Sequence, residues 1–413
     1  MKGVRHWPIW IALLSLIVAG LACGEEQARA PSSADDIGVC LYYYGIELIG
    51  PEAEKAAALA AQYDLLILTE KNSNSEVISE IKKHNPDAII ILYTNATQLA
   101  NPYNEIIAAE NIYPNMQLMF RWVEENHPDW FLRDTEGEFI YPAHPYSESE
   151  YYREFWPYLD MFVFMDPTTG WTDYYASQSA ERVGDLYDGL YSDVAMTYEE
   201  VCETVNVLDW AHDPGEKDWN QAMIKMLNAA HEAVGRDRFT MYNNGYNLWA
   251  VADAYDGRLL EWWVQLDIDE PLGGDIWKMY LDSAQETVKM GKALCVAQYG
   301  TSAQDRMYGL ASFLLIAGDQ SYYFFDEDGV DTGSYLVWYP EYEAPIGEPL
   351  GDYRFNDDVY RRDFAKGTVL VNPSDILVSV ALAEIHTTLQ GVNVQEIKLA
   401  PRSGAILLRG AKQ

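Results

Sequence analysis

Eight short apolar runs, rich in Val, Ile, Leu, Tyr and Phe and too short for helices, recur along the chain between stretches of helical character. They are Ile37 to Tyr44, Tyr63 to Leu68, Ala88 to Tyr93, Gly189 to Val194, Arg238 to Tyr242, Arg258 to Trp262, Ala293 to Gln298 and Tyr322 to Phe325. The helical candidates between them are Glu52 to Gln62, Ser75 to His84, Thr172 to Leu186, Trp219 to Val234, Leu281 to Met290 and Asp305 to Ala317. Apolar strands buried on both faces and separated by helices form parallel sheets, and eight such units predict an α/β fold, a (β/α)8 TIM barrel. Met161 to Met165 is a ninth candidate strand.

The 413 residues, 49% of them hydrophobic, suffice for one barrel and a small accessory unit. The expected division is a barrel over 37–345 and a C-terminal antiparallel β domain, a β-sandwich, over 355–413. The latter rests on Arg362 to Pro373, Ile376 to Leu382 and Ile397 to Leu408, which follow a Gly-, Pro-, Tyr- and Asp-rich linker. Residues 1–22 have the form of a signal peptide, with Lys2, Arg5 and His6 before an apolar run. Gly20-Leu21-Ala22-Cys23 resembles a bacterial lipobox, so Cys23 is the expected lipid attachment point and 23–36 a tether. Cleavage after Ala28-Arg29-Ala30 and an uncleaved anchor are the alternatives. All three put the chain outside the cytoplasm, with the membrane contacted only through the N-terminus.

A net charge of −36, with no Lys/Arg cluster, argues against nucleic-acid binding. Cys40, Cys202 and Cys295 are an odd set at wide spacing, and Cys40 and Cys295 lie in apolar runs, so buried inert thiols are expected. No Cys/His metal spacing is visible and no cofactor is expected.

Chemistry in such barrels sits at the C-terminal ends of the strands. There the sequence places Tyr44, Glu70, Asn95, Asp193, Asn243 with Asn244, Glu261, Gln298 and Asp326. Glycoside hydrolysis needs two carboxyl groups flanking the scissile bond. Asp193, closing the buried run Gly189-Leu190-Tyr191-Ser192, and Glu261, between Leu260 and Trp262-Trp263, are the candidate pair. An aromatic wall would favour the protonated form of Glu261, as a general acid requires. Structural carboxylates bonded to neighbouring strands are the competing reading for both. Asp166 either binds a sugar hydroxyl or caps the following helix. Trp122, Trp130, Tyr141, Tyr146, Tyr151, Tyr152, Trp156, Tyr158 and Trp171, on or beside a long excursion between the third and fourth strands, offer rings for stacking on sugars, two or three of them in contact with substrate. Trp130 and Trp262 head the substrate-binding candidates, with Tyr44, Glu70, Asn95, Asp166, Asn243, Gln298 and Asp326.

Five phrases resemble hypothetical glycosyl hydrolase family 15, and more loosely other (β/α)8 glycosidases: Tyr63 to Leu68, His127 to Asp134 with Gly137, Met165-Asp166-Pro167, Asp188 to Asp193, and Phe364 to Pro373. The resemblance implies a glycosidase barrel in which Met161 to Met165 belongs to the excursion. By analogy with retaining barrels it implies a nucleophile at the end of strand four, Asp193, and an acid/base at the end of strand six, Glu261. Aspartate is common at the latter place in α-glycosidases, so the anomeric preference stays open. The expected function is an exported glycoside hydrolase of a polysaccharide or oligosaccharide, of unspecified oligomeric state. The rivals are a glycan-binding protein without catalysis and a barrel amidase or deacetylase.

Overall fold

The computed structural model describes residues 37–43, 53–70, 73–110, 113–142, 159–243, 254–268, 270–327 and 336–410. Eight parallel strands form one sheet: β1 (Cys40–Tyr43), β2 (Leu65–Leu68), β3 (Ile89–Asn95), β4 (Gly189–Asp193), β5 (Phe239–Asn243), β6 (Gly257–Leu260), β7 (Ala293–Tyr299) and β8 (Ser321–Asp326), each beside its predecessor. The parallel bridge Val39–Tyr323 joins β8 back to β1 and closes the barrel. All eight apolar runs supply a barrel strand. Helices α1 (Ala53–Ala60), α2 (Ser75–His84), α3 (Trp171–Val183), α4 (Gly215–Val234), α5 (Gly274–Lys289) and α6 (Ala303–Leu314) lie on the six helical stretches.

Alternation along each strand sorts side chains between the barrel interior and the helical shell. On β3 and β4, Thr94 and Ser192 turn outward and bond the Tyr175 hydroxyl of α3 at 2.8 and 2.5 Å, while Tyr93, Tyr191 and Asp193 turn inward. On β6, Arg258 turns outward, where Thr287 and Ser283 of α5 accept its hydrogen bonds. The half-exposed Asp188 ties the β3–β4 register from below, accepting bonds from the Ile90 amide at 2.8 Å and Lys82 at 2.7 Å. Below Asp193 the strands run so close that a Cβ on Gly189 would stand 1.7 Å from the Phe239 carbonyl oxygen.

Met161 to Met165 is not a barrel strand. Phe162–Phe164 pairs antiparallel with Gln98–Ala100 in a separate two-stranded sheet, because the chain leaves the barrel after Asn95 and returns only at Gly189. The excursion is tied down by Trp171, whose indole donates to the Ala96 carbonyl at 2.7 Å.

The expectation of inert thiols at Cys40 and Cys295 is overturned: the two form a disulfide. Both are fully buried. Cys40 is on β1 and Cys295 on β7, strands that are not hydrogen-bonded neighbours but flank β8. Alternate strands contribute to the same interior layer of such a barrel, which brings together two residues 255 positions apart. Cys202 is free.

The C-terminal strands, β9 (Arg354–Asn356), β10 (Val359–Asp363), β11 (Gly367–Asn372), β12 (Val378–Thr388), β13 (Asn393–Leu399) and β14 (Ser403–Arg409), make one antiparallel sheet in the order β9-β10-β11-β14-β12-β13. The long β12 bends between Ala381 and His386, pairing with β14 only beyond the bend. Its first half, with alternating buried Val378, Val380 and Leu382, lays these side chains with Leu399 against Val359, Leu370 and Leu407. The C-terminal unit is thus hydrogen-bonded as one six-stranded antiparallel sheet. The sheet rests on α6, where Ala311 and Met307 leave no room for a side chain at Gly404.

Candidate active site

At the C-terminal mouth of the barrel, inward positions of neighbouring strands meet. Asp193 ends β4 and Asn243 ends β5, while Glu261 follows the last residue of β6. The Asn243 amide nitrogen donates to Asp193 Oδ1 and to Glu261 Oε2, each at 2.9 Å. An amide NH2 has two donors and no acceptor, so one nitrogen bonded to both keeps the two facing carboxylate oxygens within about 6 Å of each other. Asp193 Oδ2 accepts a bond from the Tyr93 hydroxyl at 2.5 Å, and Oδ1 also accepts from the Val194 amide at 2.9 Å. Glu261 Oε1 accepts from the Tyr299 hydroxyl at 2.7 Å.

Tyrosines form the floor. The Tyr191 hydroxyl lies 3.3 Å from that of Tyr42, and their rings meet edge to face, as do those of Tyr42 and Phe324. Tyr93 packs between Tyr191 and Tyr113. Burial pushes the hydroxyls of Tyr42 and Tyr93 well above the ordinary tyrosine range, and the negative charge of Asp193 pushes them further, so both stay protonated donors. Burial also raises Asp193, against the hydrogen bonds from Tyr93, Asn243 and the Val194 amide, which favour its ionised form. Trp262 packs on Tyr299 at 4.8 Å and walls the Glu261 side.

Each carboxylate is followed by a residue in left-handed backbone. Val194 has φ +52° and Trp262 φ +56°, conformations that bulky and β-branched side chains resist. The surroundings hold them there. Thr97 donates to the Val194 carbonyl at 2.6 Å, and next to Trp262 the Trp263 amide is bonded to the Ala297 carbonyl at 2.8 Å. Strained residues of this kind cluster at functional sites.

Asp193, Glu261, Asn243 and Trp262 are therefore brought together, as expected. Asn95 pairs in register with Asp193 and uses Oδ1 to accept from the Gln98 amide at 2.9 Å, turning the chain into the excursion. Asp326 pairs with Tyr299 at the end of β8. Four candidates are engaged elsewhere. Glu70 is locked to Arg182 of α3 by two bonds of 2.9 and 2.8 Å and also bonds Asn115. Gln298, adjacent to Tyr299, has the opposite parity: it accepts from Tyr323, donates to the Asp305 carbonyl and fills the space over Gly309 of α6. Asp166 folds the turn before α3, accepting from the amide and hydroxyl of Thr168. Trp130 is stacked on His127 at 4.0 Å and pressed against Gly170. Among the other aromatics of the excursion, Trp171 is fully buried and Trp122 stacks on Tyr174. Tyr44 and Asn244 lie outside the described residues, as do Tyr146, Tyr151, Tyr152, Trp156 and Tyr158.

The site residues absent from the sequence reading are Tyr42, Tyr93, Tyr191 and Tyr299. The signal was there: Tyr42, Tyr93 and Tyr191 each stand two residues before a predicted strand exit, on the same face. Among the described residues, no group of three His, Cys, Asp or Glu side chains is placed to hold a metal ion.

In backbone comparison the chain is similar to the glycoside hydrolase domain of PelA from Pseudomonas aeruginosa, with 11% identity, 70% of this chain and 95% of that one covered, and a TM-score of 0.46. It is also similar to a noncanonic maltogenic alpha-amylase, AmyB, from Thermotoga neapolitana, with 11% identity, 91% and 99% coverage and a TM-score of 0.49. A family 31 dextranase of Flavobacterium johnsoniae complexed with isomaltotriose matches at 12% identity, 91% and 51% coverage and a TM-score of 0.49. No curated protein sequence matches the chain. The family comparison is the informative one, because its match covers residues 82–368, from the end of α2 through all later barrel strands and into β11. The chain belongs to hypothetical glycosyl hydrolase family 15, and its barrel is a glycoside hydrolase domain.

Proposed function

We propose that the protein is an exported glycoside hydrolase that cleaves O-glycosidic bonds in a polysaccharide or oligosaccharide by a two-carboxylate, retaining mechanism. The observation that carries this reading is the amide of Asn243 shared between Asp193 and Glu261. Two carboxylates bridged by a single amide nitrogen are close, which supports the retaining arrangement, whereas inversion needs a wider gap to admit water. Asp193, hydrogen-bonded as a carboxylate, attacks the anomeric carbon. Glu261 protonates the leaving oxygen, then takes a proton from the water that releases the glycosyl-enzyme. Trp262 supports stacking on a sugar ring.

Export is supported by the Cys40–Cys295 disulfide, since such bonds persist in oxidising compartments. The lipobox-like Gly20 to Cys23 supports a lipid anchor on the cell envelope.

The test is release of reducing ends from a panel of polysaccharides and aryl glycosides, with wild type beside Asp193→Asn and Glu261→Gln, and NMR of the first anomer formed. Turnover with retention in wild type, lost in both variants, is expected. Turnover surviving in either variant removes that residue from the mechanism, and an inverted product removes Asp193 as nucleophile. Binding without turnover by wild type across the panel would favour a glycan-binding role.

A further inference from the structure

The two carboxylates share one donor, Asn243, and each also accepts from a tyrosine hydroxyl: Tyr93 for Asp193 and Tyr299 for Glu261. Because the Asn243 amide nitrogen can only donate, the oxygens facing it, Asp193 Oδ1 and Glu261 Oε2, are held as acceptors. A proton on Glu261 is thereby directed to Oε1, whose partner is a hydroxyl able to donate or accept. We propose that Tyr93 and Tyr299 are positioning residues, one for each carboxylate, and that Asn243 with Tyr299 confines the acid proton of Glu261 to Oε1.

The inference rests on the two-carboxylate reading and deepens it. With Glu261 protonated, Oε1–H is donated to the Tyr299 oxygen until a glycosidic oxygen replaces it. When that proton passes to the leaving group, the Tyr299 hydroxyl hydrogen turns to Oε1 and donates to the new carboxylate. When Glu261 takes a proton from water, the hydroxyl turns back. No proton is lost from Tyr299 in the cycle. Tyr93 stays a donor to Asp193 while Asp193 is ionised, and that bond weakens as the carboxylate is glycosylated. Among the described residues, Tyr42 from β1 and Tyr191 from β4 also face the pair, and Asp326 is a further carboxylate at a barrel strand end.

The experiment is a pH titration of carboxyl 13C resonances in the intact protein labelled at Asp and Glu, with Asp193 and Glu261 assigned by their loss in Asp193→Asn and Glu261→Gln. A bond donated to an ionised carboxylate holds its midpoint down, so removing the donor lets it rise. Tyr299→Phe is expected to raise the Glu261 midpoint by about one to two pH units and to move Asp193 less, and Tyr93→Phe to do the converse. Asn243→Ala, an independent check should either Phe variant fold poorly, is expected to raise both. The proposal is overturned if Tyr299→Phe leaves Glu261 unmoved, or if either Phe variant moves the two carboxyls equally. This readout needs no substrate, so a protein that titrates as expected but hydrolyses nothing would reject the functional reading and keep the assignment.

Discussion

Removing the disulfide with Cys40→Ala/Cys295→Ala is the perturbation whose size is best fixed by the structure. The bond closes a loop across 255 residues of sequence. In the chain-entropy account, a link of that span restricts the unfolded chain by about 5 to 6 kcal/mol at 25 °C, and the small cavities left by two buried sulfurs add to the loss. A chain of 413 residues has an unfolding entropy of about 0.8 to 0.9 kcal/mol per kelvin. The double variant should therefore melt about 6 to 7 °C below wild type in calorimetry, and reduced, denatured wild type should refold to the same lower value under reducing conditions. A non-reducing peptide map should recover Cys40 and Cys295 in one linked pair, with Cys202 alkylated. Separate peptides at Cys40 and Cys295, or a melting point within about 1 °C of wild type, would refute the reasoning. Because Tyr42 follows Cys40 by two residues on β1, loss of the bond should also reduce turnover more than it weakens substrate binding.

Glu70→Gln should cost about 1 to 2 kcal/mol in urea denaturation by releasing Arg182, with KM and kcat unchanged; a collapse in activity would return Glu70 to the site. Gly309→Ala should destabilise strongly, because its Cβ would stand 1.6 Å from Gln298 Oε1, and Gln298→Ala should partly rescue it. In the pH–rate profile, the proposed roles, Glu261 protonated and Asp193 ionised, predict that Tyr299→Phe carries the alkaline limb upward and Tyr93→Phe the acid limb upward; unchanged limbs would count against both assignments. Asp363, held down to about 2 against its burial by Arg361, Arg354 and Thr368, should contribute stability that is full above the ordinary carboxylate range and lost as pH falls from about 4 to about 2. Acid unfolding of Asp363→Asn should lack that step.

The barrel was legible because its signal is local: a parallel strand buried on both faces is an apolar run whatever its neighbours. The carboxylate pair was legible for a related reason, since a charge ending such a run has no solvated face to occupy. Parity was harder. Gln298 and Tyr299 are adjacent, and one residue decides which faces α6 and which reaches Glu261. Glu70 has the right place at a strand exit, but Arg182, distant in sequence, claims it. The disulfide was hidden because nothing in the spacing of Cys40 and Cys295 tells that β1 and β7 share an interior layer once the sheet closes.

Val194 and Trp262 have a practical consequence for anyone wishing to make this protein sturdier. Left-handed positions occupied by bulky residues are the first targets of a stabilisation scan, and Val194→Gly or Trp262→Gly would relax the backbone. Here the Val194 amide bonds Asp193 Oδ1, and the Trp262 ring packs on Tyr299, which bonds Glu261. Heat tolerance gained at these two positions would come at the expense of the surroundings of the carboxylates, so a campaign selecting on melting temperature alone would drift toward a robust barrel with a slack carboxylate pair.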